Sequence, residues 1–191
     1  MRLFVAMDLP DEARRAIAAE QKRIVAALAN SRDSLKLVKP EHMHLTLLFL
    51  GEVQEARVSG VVAVMNTAVD VTAFEIAFGG AGVFPPRGAP RALWIGVTTG
   101  GVALAHLQSA IAERIRSLEI ALDNRPFHPH LTLARWRESR SSDRANALAA
   151  APRGEIARVH VDRATLYHSR LLSAGPIYTP LAHATLAPAA P

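Results

Sequence analysis

The run His-x-His-Leu-Thr-Leu occurs twice in this chain, at residues 42–47 within HMHLTLLFL and at residues 128–133 within HPHLTLARW. The chain holds only eight histidines, so half of them sit in these two runs. Imidazole titrates near neutrality, which lets one histidine accept a proton and a second donate one within a single turnover. On a strand, side chains alternate between faces, so His44 and Thr46 share one face, as do His130 and Thr132, while the leucines point the other way. Two imidazoles and two short hydroxyls around one gap suit attack on a phosphodiester. One histidine takes a proton from the nucleophile, the other protonates the departing oxygen, and the hydroxyls steady the phosphoryl oxygens. Each proton transfer contributes roughly 10²–10⁴ in rate, and a donor aimed at developing charge about 10²–10³. Residue types alone do not say which histidine is the acid.

Two other roles would suit the same residues. His42 with His44 and His128 with His130 form i, i+2 pairs that offer four imidazoles to a metal. Pro129, the lack of a carboxylate in either run and the idle threonines stand against this, and no metal is expected. A single histidine on a strand is ordinarily a structural residue. A hydrophobic core, however, requires repeated leucines, not His and Thr repeated at one offset. His106, His160, His168 and His183 have no repeated partner and read as solvated or structural. Trp94 lies in an apolar strand and reads as core, and Tyr167 and Tyr178 read as packing residues in preference to nucleotide contacts. The Arg-rich residues 135–144 are either a steering surface for RNA or a solvated face.

The elements that must carry these residues recur in the same order. Residues 2–8 read as a buried strand, and Pro10 with Asp11 and Glu12 opens a helix that places Ala13, Ile17, Ile24 and Leu28 on one stripe to about Asn30. The first histidine run follows and is closed by Gly51. A helix from Gln54 to about Ala68 fits the spacing of Val58, Val62, Met65 and Val69, and FEIAF alternates as a strand. GGAGVFPPRGAP reads as a Gly- and Pro-rich loop. Residues 91–97 then repeat the opening strand, and Leu104, Leu107, Ile111 and Ile115 mark a second helix before the second histidine run. Such a repeat implies two copies facing each other across a shared cleft. A short helix through Ala150 and the strands ARVHVD and ATLYHS complete a single two-lobed domain over residues 1–184, with 185–191 expected as a frayed tail.

Composition bounds the rest. Of 191 residues, 50% are hydrophobic and 20% charged, the balance of a chain that folds alone. The net charge is +5, which permits a nucleic-acid or nucleotide partner without requiring one. With no cysteine, disulfides, zinc thiolates and cysteine nucleophiles are excluded. The N-terminus turns acidic before a signal sequence can form and no run spans a bilayer, so a cytoplasmic protein without a membrane partner is expected.

HLTLLFLGEV and PFHPHLTLAR resemble the two signature segments of the two-histidine phosphoesterase superfamily, in its RNA 2′,3′-cyclic phosphodiesterase branch, also named 2′-5′ RNA ligase. The resemblance extends to MRLFVAMDLP, GAGVFPPRGAPRALWIGV and LYHSRLLSAGPIY, and so to nearly the whole chain. It implies a bilobal α+β fold in which two antiparallel sheets line a cleft with helices outside, and no cofactor. It implies that His44 donates a proton to the departing 3′ oxygen, that His130 accepts one from water, and that Thr46 and Thr132 hold the phosphate. The substrate implied is RNA or an oligonucleotide with a 2′,3′-cyclic phosphate end, opened by a monomer to a 2′-phosphomonoester. Reverse chemistry would give a 2′-5′ ligase, and a non-catalytic RNA-binding module is the alternative of another class. The resemblance also points to Phe49 for base stacking, with core packing as the equal alternative, and to Arg135 for substrate contact. Both lie an odd number of residues beyond their histidine, so a regular strand would turn them off the catalytic face unless it is bulged or ends.

Overall fold

A computed structural model of the chain describes residues 1–28, 33–123, 125–173 and 175–188. Strand β1 (Arg2–Met7) sends Leu3, Val5 and Met7 into the core, leaving Phe4 and Ala6 on its other face. Helix α1 (Asp11–Ala27) starts after Pro10 with Asp11 and Glu12 in its first turn. It closes at Ala27, short of the expected Asn30, which lies outside the described residues. After a short strand β2 (Leu35–Leu37), the first histidine run leads into β3 (Leu45–Glu52). Helix α2 (Glu55–Met65) is shorter than its spacing predicts, because Val69 opens a strand, β4 (Val69–Thr72), instead of a further helical turn.

Strand β5 (Phe74–Phe84) runs on through Gly79–Phe84, the first half of the segment expected as a loop. Its glycines are needed there: a Cβ on Gly82 would lie 2.1 Å from the Trp94 ring that covers it. The second copy of the plan follows as β6 (Ala92–Thr99), α3 (Gly101–Arg116) and β7 (His130–Trp136). Leu104, Leu107, Ile111 and Ile115 are all buried, as their spacing requires. Helix α4 (Ser141–Ala149) and strands β8 (Glu155–Val161), β9 (Arg163–Leu172) and β10 (Gly175–Ala187) complete the chain. The end of β10 corrects the expected tail: Thr185, Leu186 and Ala187 belong to the strand, and Leu186 is buried opposite Val69.

Two five-stranded sheets result, in the orders β3-β1-β9-β10-β4 and β2-β7-β6-β5-β8. Every pairing is antiparallel except β10 with β4. In each sheet the histidine strand pairs with the opening strand of its copy, which pairs in turn with a long interior strand, β9 or β5, so the α+β fold is duplicated. The lobes do not follow the halves of the sequence. β2, from the first half, joins the second sheet, and β9 and β10 return to the first. The helices cross over as well, with α1 packing on β8 and α3 on β4 and β3. One apolar cluster runs through both lobes, drawing on Leu45 and Leu47 of β3 and Leu131 and Leu133 of β7 alike. Among the described residues, no helix is long and apolar enough to cross a membrane.

Candidate active site

The two histidine runs are built alike. In β3, Ala6 pairs with Thr46 and Val5 with Leu48, so Leu47 is an extra residue and the strand bulges there. In β7, Trp94 pairs with Thr132 and Leu93 with Ala134, so Leu133 is the extra residue. The bulge falls directly after the threonine in both copies. Its effect is to turn the next residues by one place, so that Leu47 and Leu48, like Leu133 and Ala134, all enter the core. Phe49 then faces the same side as Thr46, opposite Phe4, and Arg135 the same side as Thr132, opposite Ala92. The odd offset is thereby resolved. Phe49 is 57% exposed rather than core, and Arg135 is exposed.

The second bulge has a support from outside the sheet. The Leu133 carbonyl accepts both the Val38 N–H at 2.8 Å and the Gln21 Nε2 at 2.7 Å, and the same amide donates to the Val38 carbonyl at 2.8 Å. Gln21 is 3% exposed on α1, a helix position whose apolar neighbours gave no hint of this task.

Each motif imidazole is held by the same bond. Nδ1 of His44 donates to the His42 carbonyl at 2.8 Å, and Nδ1 of His130 to the His128 carbonyl at 2.7 Å. A carbonyl only accepts, so Nδ1 carries hydrogen and Nε2 is left as the exchanging nitrogen in both rings. His42 and His128 therefore act through their backbone. Their own rings pack on aromatics, His42 on Tyr178 at 5.4 Å and His128 on Trp94 at 4.9 Å, in place of a four-imidazole cage. Among the described residues, no group of three or more His, Asp or Glu side chains forms a metal-ligand set.

Aromatic rings back each histidine. His44 lies over Phe4 at 5.0 Å and meets the edge of Tyr178 at 5.2 Å. His130 meets Phe84 at 4.9 Å and Trp94 at 6.0 Å. Trp94 is thus half-buried on the cleft side of β6, not in the core as its apolar strand suggests. Burial lowers the pKa of both histidines; the His42 and His128 carbonyls oppose this, and for His44 the Asp8 carboxylate does too. Asp8 follows β1 at the position that continues the register opposite His44. It is itself held by the Thr165 hydroxyl at 2.7 Å and the Tyr167 hydroxyl at 2.6 Å.

Arg135 connects the two copies. Its charge helps to lower the pKa of His130, and it partly offsets the rise that burial gives Tyr178. Tyr178 belongs to the first sheet and its ring touches His44, so one guanidinium acts on residues beside both motif histidines. Strands β3 and β7 are also in direct contact. Tyr178, which reads from the sequence as a packing residue, packs on His44 itself. Thr46 and Thr132 are half-buried, and among the described residues neither hydroxyl bonds to the protein. His160 pairs with Glu75 at 2.8 Å on the surface, away from these groups.

Residues 6–171 match the model of the 2′-5′ RNA ligase superfamily. A protein of Archaeoglobus fulgidus named RNA 2′,3′-cyclic phosphodiesterase is 34% identical over 181 residues, covering 95% of this chain and 98% of its own. One of the same name from Thermus thermophilus is 32% identical, covering 95% and 88%. Among solved structures, TT0787 of Thermus thermophilus superimposes with a TM-score of 0.73 at 29% identity over the full length of both chains. E. coli LigT in apo form does so with 0.71 at 26% identity over 97% of each. Both sheets, both motif strands and the match across most of the chain lead to one conclusion: the chain belongs to the 2′-5′ RNA ligase superfamily.

Proposed function

We propose that this protein hydrolyses the 2′,3′-cyclic phosphate ends of RNA or short oligonucleotides to 2′-phosphomonoesters. In this reaction His130 Nε2 takes a proton from water, whose oxygen bonds to phosphorus. The P–O3′ bond breaks, and His44 gives its Nε2 proton to the departing 3′ oxygen. Thr46 and Thr132 donate to the non-bridging oxygens, and Arg135 offsets their charge. Phe49, exposed beside them, offers a flat face to the terminal base.

The observation that carries this reading is the repeated Nδ1–H to carbonyl bond, which leaves each motif histidine one free ring nitrogen beside an unbonded threonine hydroxyl. The name shared by the relatives supports the substrate. A residue that merely packs has no use for a fixed tautomer in both copies. The superfamily's name keeps ligation in view: with a 5′-hydroxyl in place of water, the same steps attach its oxygen to phosphorus, break P–O3′ and leave a 2′-5′ linkage.

The test is a product assay with purified protein and a 2′,3′-cyclic-ended oligonucleotide, with and without EDTA. A 2′-phosphate end formed equally with chelator is the expected result. A 3′-phosphate product, or loss of activity with chelator, would overturn the mechanism. Binding without turnover would leave the RNA-binding module. Adding an acceptor with a 5′-hydroxyl end to the same assay reveals any ligation.

A further inference from the structure

Lys36 of β2 lies directly opposite Arg135 of β7 in the antiparallel ladder. The flanking positions of β7, Trp136 and Ala134, enter the core, so alternation sends Lys36 and Arg135 together to the cleft face. Both are exposed. Like charges facing each other across a ladder, with Cβ atoms about 4.5–5.5 Å apart, destabilise a sheet. Five arginines, Arg14, Arg23, Arg125, Arg158 and Arg163, pair with a carboxylate on the surface. Among the described residues neither Lys36 nor Arg135 does so, although each would gain from it. The sheet therefore bears a repulsion that a bound anion would relieve.

The two cations differ in reach. Arg135 acts inward on His130 and Tyr178, whereas Lys36 stands on the edge strand, about 4.8 Å farther from β6. One phosphate at the histidines and threonines needs a single cation. A second cation beyond it suits a second phosphate, which a cyclic mononucleotide lacks and a chain end has. An ammonium is a compact point charge that holds backbone phosphate without reading the base.

We propose that Lys36, with Arg135, forms a subsite for the phosphodiester preceding the terminal nucleotide, so that the protein favours oligonucleotide ends over cyclic mononucleotides. The inference rests on the hydrolytic reading above, and the experiment separates the two. KM and kcat are measured for a 2′,3′-cyclic mononucleotide and a trinucleotide with the same cyclic end, using the wild type, Lys36→Ala and Lys36→Glu. The ratio of trinucleotide to mononucleotide KM should rise about five- to tenfold in Lys36→Ala, as expected for the loss of one solvent-exposed contact, and further in Lys36→Glu. The slope of log KM for the trinucleotide against log salt should fall by about 0.7. Lys36→Glu should also melt higher than the wild type, because the ladder then holds an opposite-charge pair; this result excludes misfolding as the cause of weak binding. An unchanged KM ratio in both variants would overturn the subsite. If the wild type turns over neither substrate, the hydrolytic reading fails. The subsite is then judged by titrating a 2′-phosphorylated trinucleotide into the wild type and Lys36→Ala, where equal affinities would overturn it.

Discussion

An imidazole transfers a proton in a defined direction only when one nitrogen is fixed and the other free, and the carbonyls of His42 and His128 provide that at both motif positions. Burial then sets the working pH. In the proposed reaction His130 is the base and must be neutral, so activity should be lost as pH falls through its pKa; His44 is the acid and must be protonated, so activity should be lost as pH rises through its own. Both values are pushed below the usual 6.5 by burial. The bell in kcat/KM, which reports the free enzyme, should therefore peak on the acid side of about 6.5. Initial rates across about pH 4 to 9 check this, and a plateau persisting above about pH 8 would remove His44 as the acid. The threonines give a second prediction. Thr46→Val and Thr132→Val should each lower kcat about 10²–10³-fold, while the melting temperature stays close to wild type, since among the described residues neither hydroxyl bonds to the protein.

Strands put these residues to use through irregularity. A bulge after each threonine, at Leu47 and Leu133, brings Phe49 and Arg135 onto the face of the histidines. Gln21 secures the second one by satisfying two carbonyls in the interior. Gln21→Leu should cost about 1–3 kcal/mol of stability, measured by urea unfolding, because the Val38 carbonyl loses its donor and the Leu133 carbonyl one of its two. It should also lower activity by loosening the strand that carries Arg135. At this scale the sequence was legible where period and chemistry agreed. The two motif runs, α1 and α3 show their spacing plainly. The bulges were not legible, because an extra residue is defined by the partner strand and not by its own neighbours. Val69 fits a helical stripe equally well, which hid β4. In β5, Gly79, Gly80 and Gly82 read as loop, yet Gly82 is small so that Trp94 can lie across it. Pro176 and Pro180 likewise interrupt the pattern of β10, which carries Tyr178.

For the whole molecule, the chain passes between lobes more than once: β2 and α1 serve the second lobe, and β9, β10 and α3 serve the first. Neither lobe is a free-standing half, which keeps the two histidine strands at a fixed relation through one continuous core. Duplication was readable from the repeated six residues and the recurring order of elements. The exchange of strands was not, since it depends on which edges meet in space. A residue from the last strand, Tyr178, therefore sits against His44 near the start, and Arg135 acts on it from the other sheet. The central claim is that these two sheets present one acid and one base to a single cyclic phosphate. Phosphorus NMR of a 2′,3′-cyclic-ended oligonucleotide, treated with wild type, His44→Ala and His130→Ala, tests it most directly. The account predicts a 2′-phosphomonoester from the wild type, and turnover reduced by about 10²–10⁴ in each variant with circular dichroism unchanged. A folded His44→Ala or His130→Ala protein that still opens the ring at the wild-type rate would contradict it.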